Sequence, residues 1–298
     1  MSDDGMPRPR AGSAWYKAHG LGNDYLVFEE GNDWRMAPGA VARVCDRWKG
    51  VGSDGVILVL GDDLGGVRRL RMFNPDGSEF ERSGNGLRIV ASYFARAGAV
   101  DTHPFTVEVG GNHVTLTVHH SDPPRHDVSA AMGRASLGAP AVGLAPSALD
   151  AEGHIALPDG RSADVTPVSV GNPHLVVFGL PLDDETLATV GPFLATHSAL
   201  AAGCNVQLAE VAAPGALRIL IWERGVGRTS ASGTSSCAAA VAAVRRGLLR
   251  PGPVEVRMPG GTLHVHVSGD LDVVLRGPVE EVAVGRLTGG FLARLSTL

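Results

Sequence analysis

The chain has 298 residues, 44% of them hydrophobic and 19% charged, with a formal net charge of −5. That length suits two ordinary domains or one large one, and the balance is that of a globular protein, not a disordered one. No basic stretch is sustained, the Arg pairs at 68–69 and 245–246 reading as solvated surface, and no apolar run nears the ~20 residues of a membrane span, so neither nucleic acid nor membrane is an expected partner.

Residues 1–13, rich in Gly, Pro, Arg and Asp, predict a disordered leader without the apolar core of a signal peptide. Gly22-Asn23 then opens the apolar run GNDYLVF, and Ser83-Gly84-Asn85 opens SGNGLRIVASYFARAG, which predicts a helix over 86–97 ending at a glycine suited to a C-cap. TVEVGGNHVTLTV at 106–118 alternates apolar and polar residues, the period of half-buried strands, around a Gly-Gly pair. Strand signals fade over 128–140, which is read as the linker.

The same series then returns. Gly171-Asn172 opens GNPHLVVF, Ser232-Gly233-Thr234 opens SGTSSCAAAVAAVRRG with a helix predicted over 235–246, and PVEVRMPGGTLHVHV at 253–267 carries the second Gly-Gly pair. From Gly22 to Ser83 and from Gly171 to Ser232 the separation is the same 61 residues (83 − 22 and 232 − 171). One offset held across three landmarks marks an internal repeat. The second helix is small and apolar nearly all round, so it is expected in the interior. The predicted fold class is α+β, with two pseudo-symmetric domains, each a curled mixed β-sheet around a central helix. The expected bounds are 14–130 plus 282–298 for the first domain and 131–281 for the second.

Cys45, Cys204 and Cys237 form no CxxC pair, and their odd number suggests a reducing cytoplasm over a disulfide framework. The histidines show no metal-ligand spacing, so no metal is expected. Lys17 and Lys49 are the only lysines, and neither sits in a context suited to a Schiff base, which favours chemistry without pyridoxal phosphate or any other cofactor.

A serine before a helix is ordinarily a cap. Here each serine is followed by a glycine that lets a ligand approach the backbone, at a helix end whose free N–H groups and dipole favour an anion. Two such starts, one per half, can hold a carboxylate between them. Asn23, Asn74, Asn172 and Asn205 stand in short polar insertions beside apolar strands, where turn chemistry also explains them. Glu223-Arg224 reads either as a surface ion pair or as a carboxylate fork beside an ammonium acceptor, which suits an amino acid.

From about residue 15 to 290 the chain resembles the diaminopimelate epimerase family, through AHGLGNDY at 18–25, FNPDGSE at 73–79, SGNGLR at 83–88, GNPH at 171–174 and WERGVGRTSASGTS at 222–235, in that order. The resemblance implies cofactor-independent inversion at an α-carbon, LL- to meso-diaminopimelate, one residue removing the α-proton while a second delivers one to the other face. It implies substrate-holding roles for Asn23, Asn74, Asn172, Asn205, Glu223 and Arg224. Gly84-Asn85 and Gly233-Thr234 become the paired helix starts around the reacting carboxylate, and His174 a residue lining the site. A homodimer is the expected assembly.

Two positions depart from the family pattern. Its catalytic cysteines are replaced by Ser83 and Ser232. Cys237, five residues past Ser232, is read as core packing. Gly55 stands where a substrate-contacting glutamine is expected, removing a polar contact and leaving space. Two further readings follow: a related proton-shifting isomerase or racemase using another base (Asp76, Glu79, Glu81, Glu223 or His174), and a non-catalytic amino-acid-binding homologue.

Overall fold

The computed structural model describes residues 8–62, 66–80 and 83–298. The chain divides into two compact units, one running to Ala130 and resuming over Pro278–Leu298, the other Ala131–Gly277.

The first unit contains β1 (Arg10–Gly20), β2 (Asn23–Glu30), β3 (Trp34–Arg35), α1 (Pro38–Cys45), β4 (Val56–Asp62), β5 (Arg68–Phe73), β6 (Glu79–Phe80), α2 (Gly84–Arg96), β7 (Phe105–Val109), β8 (Asn112–Asp122) and most of β9 (Arg125–Arg134). β1 and β2 form a hairpin through Leu21 and Gly22, both at positive φ, the two-residue turn that matches strand twist. β2 pairs parallel with β4, β4 antiparallel with β5, and β5 parallel with β7. Leu26, Phe28, Trp34, Met36, Val56, Leu58 and Phe73 form a core against α1, and α2 packs on β1, β2 and β8.

The second unit follows with β10 (Ser136–Leu137), β11 (His154–Ala156), β12 (Ser162–Ser169), β13 (Pro173–Phe178), α3 (Asp184–Ala195), β14 (Asn205–Ala213), β15 (Ala216–Glu223), β16 (Gly227–Thr229), α4 (Gly233–Arg245), β17 (Gly252–Met258), β18 (Gly261–Val267) and the first part of β19 (Asp272–Arg286). The pairing order repeats: β13 parallel with β14, β14 antiparallel with β15, β15 parallel with β17. Leu175, Val177, Leu187, Leu194, Val206 and Leu208 form its core, and α4 lies on β12–β15, β17 and β18. The later part of β19 pairs with β1, and α5 (Gly289–Leu295) brings Leu295 into the core of the first unit beside Leu26 and Phe28. No helix among the described residues is long and apolar enough to cross a membrane.

The two central helices start and end at the same offset (233 − 84 and 245 − 96 are both 149). Each begins two residues before its predicted start and ends one residue early, because the serine itself is the cap and the glycine after it takes the first helical position. Other boundaries also differ from expectation. Residues 1–7 of the predicted leader lie outside the described residues, but Arg10–Ser13 belong to β1, where Ala11 and Ser13 are buried. The predicted linker at 128–140 begins inside β9, where Val128, Ser129, Ala130 and Met132 are all buried; Ser129 and Ala130 carry little apolar signal, which weakens the strand pattern.

Residues 237–243 of α4 are all fully buried and all Cys, Ala or Val. The interior there is closed at the size of a methyl group. Ala240→Leu is expected to lower stability by about 1–3 kcal/mol through overpacking, read as a lower denaturant midpoint at unchanged slope; an unchanged midpoint would show slack around α4.

Candidate functional site

In the first unit, the Asn85 side chain, in the first turn of α2, donates through Nδ2 to both the carbonyl and the Oδ1 of Asn23, each at 2.8 Å. The hairpin that begins β2 is thereby tied to the start of the helix. The buried Arg88 donates through Nη2 to Asn85 Oδ1 at 3.0 Å. Gly20 is required here: a Cβ would stand 2.0 Å from Asn85 Oδ1 and 2.9 Å from Arg88 Nη2.

Asn23 is held from its other side as well. Its Nδ2 donates to Asp54 Oδ2 at 3.0 Å, and the backbone N–H of Asp24 donates to the same oxygen at 3.1 Å. Arg47 bridges Asp54 and Asp24 at 2.7 Å each, and Lys17 Nζ reaches Asp24 at 2.8 Å and the Gly52 carbonyl at 2.6 Å. Two carboxylates and two cations thus brace one asparagine. Burial pushes the Asp24 carboxyl up, but hydrogen bonds and charge from Arg47 and Lys17 outweigh it and hold the carboxyl below its ordinary 3.8. Sequence reasoning singled out Asn23 but none of Asp24, Arg47 and Asp54. The available signal was the pair of acids in GND and GSDG, each beside a positive-φ or close-packed glycine.

Ser83 caps α2, its Oγ accepting from the Gly86 N–H at 3.0 Å. Asn74 lies in the turn after β5 and donates through Nδ2 to Ser78 Oγ at 2.9 Å, so its amide serves the turn and not the Asn23–Asn85 pair. Among the alternative bases, Glu79 is paired with Arg71. Asp76 is held low by the Ser78 hydroxyl and N–H, and Glu81 lies outside the described residues. The space expected at Gly55 is filled. A Cβ there would lie 2.6 Å from the Phe73 carbonyl oxygen and 2.7 Å from the Tyr25 ring, so no side chain fits.

In the second unit, Ser232 caps α4, its Oγ accepting from the Ser235 N–H at 3.5 Å. Asn172, just before β13, donates to the Thr234 hydroxyl at 3.4 Å and accepts from His174 Nε2 at 2.9 Å. Asn205 opens β14 and accepts from the Arg224 backbone N–H at 3.0 Å, while the Arg224 guanidinium donates to the Ala202 carbonyl at 3.0 Å. Glu223 ends β15, and a tight turn returns the chain to pair it with Gly227. His174, expected to line the site, is 0% exposed instead. Burial pushes its pKa down to about 3, and the charge of Arg224 adds to the fall, opposed only in part by the nearby Gln207 amide. The buried ring is neutral near pH 7 and meets Asn172 through Nε2.

Among the described residues, neither serine hydroxyl donates to a carboxylate or an imidazole. No thiol takes their place: Cys237 is fully buried within α4, and burial raises Cys45 to about 11 and Cys204 to about 12.

The family model for diaminopimelate epimerase matches residues 15–138 and 166–282. A diaminopimelate epimerase from Desulforudis audaxviator is 42% identical over 91% of this chain and 97% of its own length. One from Pelotomaculum thermopropionicum is 35% identical over 90% and 96%. Among solved structures, a predicted epimerase from Pseudomonas aeruginosa is similar with a TM-score of 0.67 at 19% identity, covering 92% of this chain and 99% of that one. A probable proline racemase from Agrobacterium radiobacter is similar with a TM-score of 0.68 at 16% identity, covering 93% of each.

Because the folded Asp24 pKa lies below the unfolded value, its contribution to stability is complete above the unfolded pKa and is lost as pH falls through the folded one. Asp24→Asn is expected to melt lower than the parent at pH 7, with the gap narrowing below about pH 4. A gap of constant size from pH 7 to pH 3 would show that the carboxylate's charge is not what braces the hairpin.

Proposed function

Because this chain belongs to the diaminopimelate epimerase family, we propose that it is a cofactor-independent amino-acid epimerase interconverting LL- and meso-diaminopimelate. The observation that carries the reading is the repeated arrangement at the two helix starts. In each unit a serine caps the buried helix, a glycine follows it, and an asparagine from a neighbouring strand opening is tied to the next residue. Such an end presents free N–H groups and positive potential to a carboxylate. Identity of 34–42% over 90–91% of this chain to relatives named diaminopimelate epimerase favours this reading over a different proton-shifting isomerase or a binding homologue.

In the proposed site, the amides of Gly84-Asn85 and Gly233-Thr234 receive the reacting carboxylate. Asn23, Asn74, Asn172 and Asn205 hold the rest of the substrate, Glu223 takes an ammonium, and Arg224 uses the donors it has left after Ala202. Ser83 and Ser232 exchange the α-proton, one removing it as the other returns one. A thiol near pKa 8.5 is readily ionised at a helix end, whereas a serine hydroxyl starts far higher. The helix end contributes only ~0.3–2 kcal/mol, about one pKa unit. The serine pair is therefore expected to be slow, and slow for a stated reason. By the same resemblance the protein works as a homodimer, in a reducing compartment where three cysteines outside any disulfide are stable.

The test is α-deuterium incorporation from heavy water into LL-diaminopimelate. Exchange above background is expected from the parent, with a rise of about 10²-fold or more in the Ser83→Cys, Ser232→Cys double variant. Ser83→Ala and Ser232→Ala should each lose most exchange, measured well below their melting points because each also loses a cap worth about 1 kcal/mol. No exchange in the parent or in the double cysteine variant would end the epimerase reading. Exchange unaltered by both alanine variants would move the base elsewhere.

A further inference from the structure

His174 and Gln207 hold an unresolved pairing in the interior of the second unit. Among the described residues, His174 Nδ1 and Gln207 Oε1 are both buried without a hydrogen-bond partner. Gln207 is 0% exposed on β14, within hydrogen-bonding reach of the ring, and its Nε2 donates to Ser235 Oγ at 3.0 Å. On the other side of the ring, Nε2 stands 2.9 Å from Asn172 Oδ1, while Asn172 Nδ2 reaches Thr234 Oγ1 at 3.4 Å. One ring nitrogen therefore confronts an amide oxygen, and the other is left without a partner on the face of the sheet that also carries Gln207, two residues along β14 from Asn205, the register partner of His174.

Only an imidazolium donates in both directions, and complete burial near the positive charge of Arg224 excludes the charged ring. A neutral ring has one N–H and one bare nitrogen; with Nε2–H given to Asn172 Oδ1, the bare Nδ1 needs a donor, and Gln207 supplies one once its amide is turned by 180°, an alternative that exchanges chemically similar N and O positions. Turning Gln207 removes both unsatisfied atoms and leaves every Asn172 contact as it stands. Its N–H then donates to Nδ1, and the Ser235 hydroxyl, able to give as well as receive, donates to Oε1. Turning Asn172 instead consumes its N–H on the ring and puts its carbonyl where the amide N–H had been.

We propose that the chain Ser235–Gln207–His174–Asn172–Thr234 runs in one direction, with Gln207 donating to Nδ1 and the ring held as the Nε2–H tautomer. The Asn172 carbonyl is thereby captured and its N–H left to face an anionic substrate. Gln207 and His174 are positioning residues: neither touches substrate, and together they set which end of the Asn172 amide is offered. A buried glutamine two bonds removed from the site thus decides whether that site attracts or repels a carboxylate. The effect on affinity rests on the proposed epimerase reading; the tautomer does not.

The experiment is long-range 1H–15N correlation on the full-length chain at pH 7 with its histidines labelled. His174 is expected to show a bare Nδ1 and a protonated Nε2. A protonated Nδ1, as the other tautomer or as imidazolium, overturns the proposal. Gln207→Met should give a mixture of tautomers and bind diaminopimelate about tenfold more weakly by calorimetry, the loss of one hydrogen bond to a charged group. Its turnover, where the parent shows exchange, should fall by no more than about threefold. Unaltered affinity with altered tautomers would sink the positioning role. Correct tautomers in a parent that shows no exchange would leave this inference standing and remove the epimerase reading.

Discussion

The attachment of a strand-opening asparagine to the first turn of a buried helix is the constraint on which the rest of each unit depends. Asn23 with Asn85, and Asn172 with Thr234, occupy matching positions in the repeat. Each joins the sheet to the helix at the point where the helix has unpaired N–H groups and no side-chain bulk. Without the attachment, the helix would still pack by its apolar flanks, but its end would not be registered against the neighbouring loop. Anion recognition by backbone amides depends on that register more than on any one side chain.

The two units achieve the same attachment by different chemistry. In the first, a box of two carboxylates and two cations surrounds Asn23, with Arg47 half-exposed and Asp24 buried. In the second, the braces are uncharged: an imidazole, an amide and two hydroxyls, all but Asn172 and Thr234 fully buried. Charge can be kept where a rim of water remains, and full burial demands neutral groups whose donors and acceptors match one to one. The duplicated architecture conserves the geometry of the joint while its electrostatics diverge.

Much of this was legible in the residues. The repeat, the two central helices and their serine caps follow from spacing and from cap chemistry, and the asparagines were visible as polar insertions in apolar runs. Three things were not. β9 escaped because small buried residues such as Ser129 and Ala130 carry little hydrophobic signal and interrupt the alternation. The charge box escaped because Lys17, Asp24, Arg47 and Asp54 are brought together by strand pairing across more than thirty positions, a property of topology and not of local pattern. The room expected at Gly55 was misjudged because a glycine reports the absence of its own side chain and says nothing of its neighbours; here Tyr25 and the Phe73 carbonyl occupy the place.

The last strand has a bearing on how the protein is made. β19 leaves the second unit to pair with β1, and the helix after it delivers Leu295 to the core that holds Ala11, Leu26 and Phe28. A chain emerging from the ribosome therefore presents its amino-terminal half with an unpaired edge and a gap in its interior, while the carboxy-terminal half already has nearly all its strands. The half synthesised first is the last to close. An open edge waiting on Pro278–Leu298 is an opportunity for pairing with a neighbouring nascent chain, and translation that stops short of residue 278 releases a polypeptide with one finished half and one exposed one.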